Sequence, residues 1–259
     1  GKWYAYLFRD YGSVGRIPYI VPMTWEDGWP VIGTDGKVPE LLDLPSGKGL
    51  IPGIVASDEF NREKGDPALP LVWQWNHNPD NSAWSVNRKK GYLRLTTTRI
   101  DTLFTQARNT LTQRTIGPAC SGSTLIDVSH MKEGDFAGLA LLQKKFGIVG
   151  VKYINGVRSV VMINAWSGRA EEVESFPLTR KKVYLKAECD FSDRRDIAYF
   201  YYSLDGNTWK PIGNQLKMEY SMPHFMGYRY GLFNYATREP GGFVDFDWFR
   251  ITNERTESK

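Results

Sequence analysis

From Ser57 to about Thr252 the chain is a succession of short β-prone runs punctuated by turn residues, with almost no helical periodicity. That pattern leaves few ways to bury apolar side chains. "LVWQWNH", "WSVNRKKGYLRLTT", "SGSTLIDVSH", "DFAGLALLQ", "KKVYLKAECDF" and "GGFVDFDWFRI" follow one another. "YINGV" and "LDGNT" place Asn-Gly and Asp-Gly pairs between β-prone flanks, the strongest short-range hairpin cue. There is no βαβ rhythm and no internal repeat. The expected fold is all-β, a jelly-roll β-sandwich of two sheets.

Residues 2–33 also read as β structure: "KWYAYLFR", a turn at "YGSVG", "RIPYIVPMTW", then a tight "EDGW" turn into "PVIG". Three short strands cannot bury a core alone and must lean on something larger. Residues 34–56 are rich in Gly, Pro and Asp, which predicts a linker along a surface, with a helical turn at "ELLDL". The sequence thus divides into residues 1–33, 34–56 and 57–255. If the inward face of the first unit (Trp3, Tyr4, Tyr6) stays uncovered, self-association through residues 2–33 is expected.

The formal net charge is only +4 and the basic residues are dispersed, so there is no nucleic-acid footprint. No apolar run is long enough to span a membrane, and the first residues lack the pattern of a signal peptide. Cys120 and Cys189 fit neither a disulfide framework nor metal spacing. One bridge is possible if their strands are neighbours, but buried free thiols are favoured.

Chemistry-bearing groups are sparse. The three histidines, His77, His130 and His224, have no G-x-S-x-G elbow or metal-ligand spacing around them. A jelly roll can hold a structural Ca2+ where its first and last strands meet. "SDEF" and "VDFDWF" put Asp58, Glu59 and Asp247 there, beside Asp245 on the same face by alternation. Such carboxylates are either bridged by a cation or simply solvated. The acids of "CDFSDRRD" read as a charged loop with local ion pairs. Trp73 and Trp75 share a strand face and are expected in the core, whereas Trp84 and Trp209, beside turns, are the candidates for an exposed sugar platform.

"LVWQWNHNPDNSAWSV", "ARNTLTQR", "GDFAGLALLQ", "YFYYSLDGNTW" and "FVDFDWFR" together resemble the C-terminal concanavalin A-like sandwich of glycoside hydrolase family 43, which contains β-xylosidases and α-arabinofuranosidases. "WYAYLFRDYGSVGRIPYIVPMTWEDGWPVIG" resembles the last blade of the five-bladed propeller that precedes that sandwich. The resemblance implies an inverting parent enzyme whose three catalytic carboxylates lie in earlier blades, upstream of Gly1. No acid of this chain is therefore assigned a catalytic role, and the chain alone is expected to be hydrolytically inert. Its implied role is accessory: supporting the propeller and walling its sugar pocket. "FMGYRYG" aligns Phe225 with the family phenylalanine that reaches into the propeller cleft. Arg16 or Arg9 matches a substrate-contacting arginine of the last blade, and "RNTLTQR" is expected to face the propeller. Xylan or arabinoxylan oligosaccharides and the propeller itself are the implied partners, in a secreted or periplasmic setting. The alternative function is a xylan-binding module acting through its exposed aromatics.

Overall fold

Asn155 and Gly156 both adopt positive φ, 53° and 75°, and Ile154 pairs directly with Val157. This is the two-residue turn that the Asn-Gly pair predicts, because its backbone twist matches that of the flanking strands. The same logic closes the "EDGW" turn, where Asp27 and Gly28 stand at 50° and 82° between paired Glu26 and Trp29. "LDGNT" behaves differently. Tyr202 pairs with Lys210, and the Asp205 carboxylate accepts the N–H groups of Asn207 and Thr208, making a longer side-chain-capped loop.

The structure is a computed structural model that describes residues 1–44, 53–222 and 224–255. Its strands are β1 (Trp3–Asp10), β2 (Arg16–Glu26), β3 (Trp29–Ile32), β4 (Gln74–Trp75), β5 (Trp84–Ser85), β6 (Leu93–Thr96), β7 (Leu111–Arg114), β8 (Ala119–Asp127) and β9 (Asp135–Leu142). They continue with β10 (Gly147–Ile154), β11 (Val157–Asn164), β12 (Glu171–Pro177), β13 (Lys182–Asp190), β14 (Ile197–Ser203), β15 (Lys210–Pro211), β16 (Leu216–Lys217), β17 (Arg229–Ala236) and β18 (Phe243–Thr252). β1, β2 and β3 form a separate antiparallel sheet. The rest form a sandwich. One sheet runs β12-β11-β10-β9-β17-β7-β4; the other runs β15-β14-β13-β8-β18-β6-β5, with β16 also pairing β14. The predicted all-β sandwich is therefore present. The predicted helical turn at "ELLDL" is not: residues 40–44 are irregular, with Leu41 and Leu44 exposed and Leu42 half-buried.

Alternation sorts the side chains. Ala137, Leu139 and Leu141 of β9, Val149 and Val151 of β10, and Tyr230 and Leu232 of β17 point between the sheets. They meet Val183, Leu185 and Ala187 of β13 and Phe246 and Phe249 of β18 from the opposite sheet. The other faces of β9, β10 and β17 are also buried, because the loop carrying Phe104 covers Ala140, Ile148 and Phe233 in a second apolar layer. Cys120 and Cys189 are direct cross-strand partners, fully buried and free as thiols. Between them Tyr230 Oη lies 3.3 Å from Cys120 Sγ. Gly122 is needed there, since a Cβ would meet the Tyr230 ring at 2.7 Å.

Candidate functional site at the junction of blade and sandwich

The three-stranded sheet joins the sandwich through one turn. After β1 the chain makes a single 3-10 turn at Gly12–Val14. Ser13, fully buried, donates from Oγ to Asp196 Oδ1 at 2.5 Å, and its carbonyl accepts the Tyr228 N–H at 2.9 Å. Two glycines allow the approach. Gly15 has φ of 97°, and a Cβ on it would lie 2.8 Å from the Gly227 nitrogen. A Cβ on Gly227 would lie 2.0 Å from the Val14 carbonyl oxygen. No side chain fits between these backbones, so the contact fixes the first residue of β2 against the segment before β17.

That contact brings Arg16 to Phe225. The Arg16 guanidinium carbon lies 4.2 Å from the Phe225 ring centre and 4.5 Å from that of Phe8, and its Nε donates to Asp10 Oδ1 at 3.0 Å. Phe225 has positive φ, 48°, and is 56% exposed. Its exposure sets it apart from a core phenylalanine such as Phe60, which has a similar φ of 51° but is fully buried. Arg16 and Phe225 line an open cavity of about 730 Å³ with Tyr6, Phe8, Arg114 and Tyr220. Arg114, from the predicted "RNTLTQR" face, sits in this wall, while Gln113 beside it is buried and clamps Ala56 through hydrogen bonds of 3.0 and 2.9 Å.

Arg9 is not part of this cluster. It pairs with Ile17 in register and so points to the other face of the sheet, over the Tyr11 ring at 5.2 Å. Of the two candidate arginines, Arg16 is the one that lines the cavity. Among the described residues, no Asp or Glu lines the cavity. The site offers aromatic faces and guanidinium donors, which bind and orient polar rings, but no carboxylate pair for acid/base hydrolysis. His224, next to Phe225, has its pKa lowered by burial and by Lys144, which favours the neutral imidazole. His77 contacts the Thr105 carbonyl oxygen at 2.9 Å and His130 stacks on Phe243, both structural contacts.

The other predicted site residues lie elsewhere in the fold. Trp84 is half-buried, packs on Trp75 with ring centres 5.1 Å apart, and donates from Nε1 to Asn81. Trp209 lies across the buried Lys186 ammonium at 4.6 Å, roofing the Lys186–Glu188 ion pair. Neither lines the cavity.

Each predicted cation ligand meets a cationic side chain. Asp58 accepts two hydrogen bonds from Arg62 at 2.9 and 2.6 Å, one from the Trp73 indole at 2.8 Å and one from the Phe60 N–H at 2.8 Å. Burial works to raise its pKa, but these donors outweigh it and hold the carboxyl below its usual value. Glu59 pairs with Arg250, and Asp247 with Lys182. A bulge between Phe246 and Trp248 shifts the register of β18 on β8, and Asp245, on the outer face with Asp247, pairs with Arg94 and Lys89. The described residues hold no group of three or more His, Cys, Asp or Glu suited to a metal. Arginine and lysine side chains already neutralise the predicted ligands.

The "CDFSDRRD" loop does more than solvate. Asp190 is buried and binds Arg195 and Arg255, and Asp196 is the acceptor that holds Ser13. Nothing in the local sequence marked Asp196, Gly15 and Gly227 as partners, since Ser13 and Asp196 are 183 positions apart.

The architecture defines the class: a concanavalin-like β-sandwich joined to a separate three-stranded antiparallel sheet. The particular family follows from comparison. Residues 57–252 match the family described as the β-xylosidase C-terminal concanavalin A-like domain, and the chain belongs to that family. A β-xylosidase of Formosa agariphila is 28% identical over 95% of the chain and 45% of its own length. A putative β-xylosidase of Xylanibacter ruminicola is 30% identical over 89% of the chain and 42% of its length. The chain therefore spans less than half of these curated relatives. Among solved structures, a bifunctional GH43-CE protein of Bacteroides eggerthii is 63% identical with a TM-score of 0.93, over 99% of this chain and 33% of that one. A GH43 hydrolase with endo-xylanase and exo-arabinofuranosidase activity superposes with a TM-score of 0.85 at 29% identity, over 98% of this chain and 52% of its own.

Proposed function

We propose that this chain is the accessory C-terminal part of a xylan-degrading glycoside hydrolase, bracing a catalytic propeller and closing one wall of its sugar pocket. The observation that carries this reading is the Arg16–Phe225 pair, two residues 209 positions apart that meet at an open cavity through the Gly15–Gly227 contact. Phe225 supplies a flat apolar face for a xylosyl or arabinosyl ring, and Arg16 supplies donors at its edge. Relatives named β-xylosidase and α-L-arabinofuranosidase support that substrate class. Proton transfer would fall to carboxylates of the propeller, so this chain contributes walls and rigidity.

The test uses an enzyme that carries this chain together with its propeller. Phe225→Ala should lower kcat/KM on an aryl xyloside or arabinoside by about tenfold or more, while Trp209→Phe leaves it within about twofold. An unchanged kcat/KM in Phe225→Ala overturns the wall role. Turnover by the purified 259-residue chain alone overturns the accessory reading altogether.

A further inference from the structure

A second feature of the sandwich has the chemistry of a carbohydrate site and lies outside the Phe225 cavity. Trp166, in the hairpin between β11 and β12, is 37% exposed and borders a groove of about 470 Å³. Asn164, Glu171, Asn214, Gln215 and Lys217 complete that groove. It is built in advance of any ligand. Asn164, buried at 8% exposure, donates to Asn214 Oδ1 at 2.8 Å and to the Gln215 carbonyl at 3.2 Å, and accepts the Trp166 N–H at 2.9 Å. The Lys145 ammonium rests 3.7 Å from the Trp166 ring centre and pairs with Glu219. Among the described residues, the Trp166 indole N–H, the Asn214 and Gln215 amide donors and the Lys217 ammonium have no hydrogen-bond acceptor.

We propose that this groove is a second sugar-binding site, holding neutral xylosyl rings of a xylan chain by stacking on Trp166 and hydrogen bonding to Asn214 and Gln215. The occupant follows from the chemistry. Lys217 and Glu171 balance in charge, as do Lys145 and Glu219, so no net field selects an anion or a cation. One indole face beside several planar amides matches a ring with an apolar face and a rim of hydroxyls. That the sugar is xylosyl rests on the function proposed above.

The groove is also coupled to the cavity. The loop Gln143–Lys145 braces both, since Gln143 Nε2 donates to the Met226 carbonyl at 2.5 Å, Ser221 Oγ donates to Gln143 Oε1 at 3.0 Å, and Lys145 covers Trp166.

The experiment is calorimetric titration of the 259-residue chain with xylohexaose, with the tryptophan indole N–H resonances followed in parallel. Trp166→Ala should weaken binding about tenfold or more and remove the one indole signal that shifts, while Trp166→Phe retains most of the affinity. Trp209→Phe, a change outside the groove, should leave this binding unchanged. No binding by the unmodified chain, or equal binding by folded Trp166→Ala, overturns the inference while leaving the cavity reading to its own enzyme assay. Binding lost in Phe225→Ala and kept in Trp166→Ala overturns the groove and supports the cavity.

Discussion

Single residues show how neighbours decide what a carboxylate does. Asp58 opens the sandwich and is filled by Arg62, Trp73 and the Phe60 N–H, so removing it strands a buried guanidinium and an indole donor. Asp58→Ala should cost about 3–5 kcal/mol in equilibrium unfolding. Asp135 is the opposite case. It is fully buried, its Oδ2 accepts the Lys132 N–H at 2.7 Å, and its Oδ1 has no partner. Burial pushes its pKa up to about 6 from a usual 3.8. A folded-state pKa raised in this way favours the protonated form. Its contribution is full below pH 3.8 and is lost as pH rises through about 6. The shift of about two units corresponds to roughly 3 kcal/mol at most. Unfolding free energy should therefore decline between pH 4 and 6.5 relative to Asp135→Asn, in which that step is absent. Parallel pH profiles for the two proteins would rule this out.

Among the elements, β18 and the Ser13 turn carry most of the consequence. Strand alternation put Asp245 and Asp247 on one face, and the bulge after Phe246 shifts the residues beyond it so that Phe246 and Phe249 can both face the core. A local pattern cannot register such a bulge, because it is set by pairing with β8 over a hundred residues away. The Gly15–Gly227 contact was equally hidden, whereas Phe225 and Arg16 were reached through family likeness. Gly227→Ala forces a Cβ into the Val14 carbonyl. Overpacking of this kind costs about 1–3 kcal/mol. The expected result is proteolytic release of residues 1–33 about tenfold faster, with the sandwich's melting midpoint nearly unchanged. Release at the original rate would show that the clasp is not the attachment.

For the whole molecule, the two parts are unequally finished. The sandwich buries a continuous core, while the first sheet leaves Trp3 57%, Trp25 49% and Trp29 76% exposed. It touches the sandwich through its turn more than through a face. Aromatic surface of that extent seeks cover. The chain should show concentration-dependent association in sedimentation experiments, and deletion of residues 1–33 should leave a monomer. A monomer in both cases would place the sheet's cover elsewhere.

The sequence by itself determined the strands, the Asn-Gly and Asp-Gly turns and the sandwich class, because alternation and positive-φ turn residues act over a few positions. Its likeness to a family pattern also singled out Phe225 for the proposed wall. Only the tertiary structure decided which arginine lies beside Phe225, that Trp84 packs on Trp75 and Trp209 over Lys186, that Asp58, Glu59 and Asp247 have cationic partners, and that Trp166 borders a groove. Those outcomes depend on which distant side chains fill the space around each group, and contacts between distant positions leave no mark on local pattern.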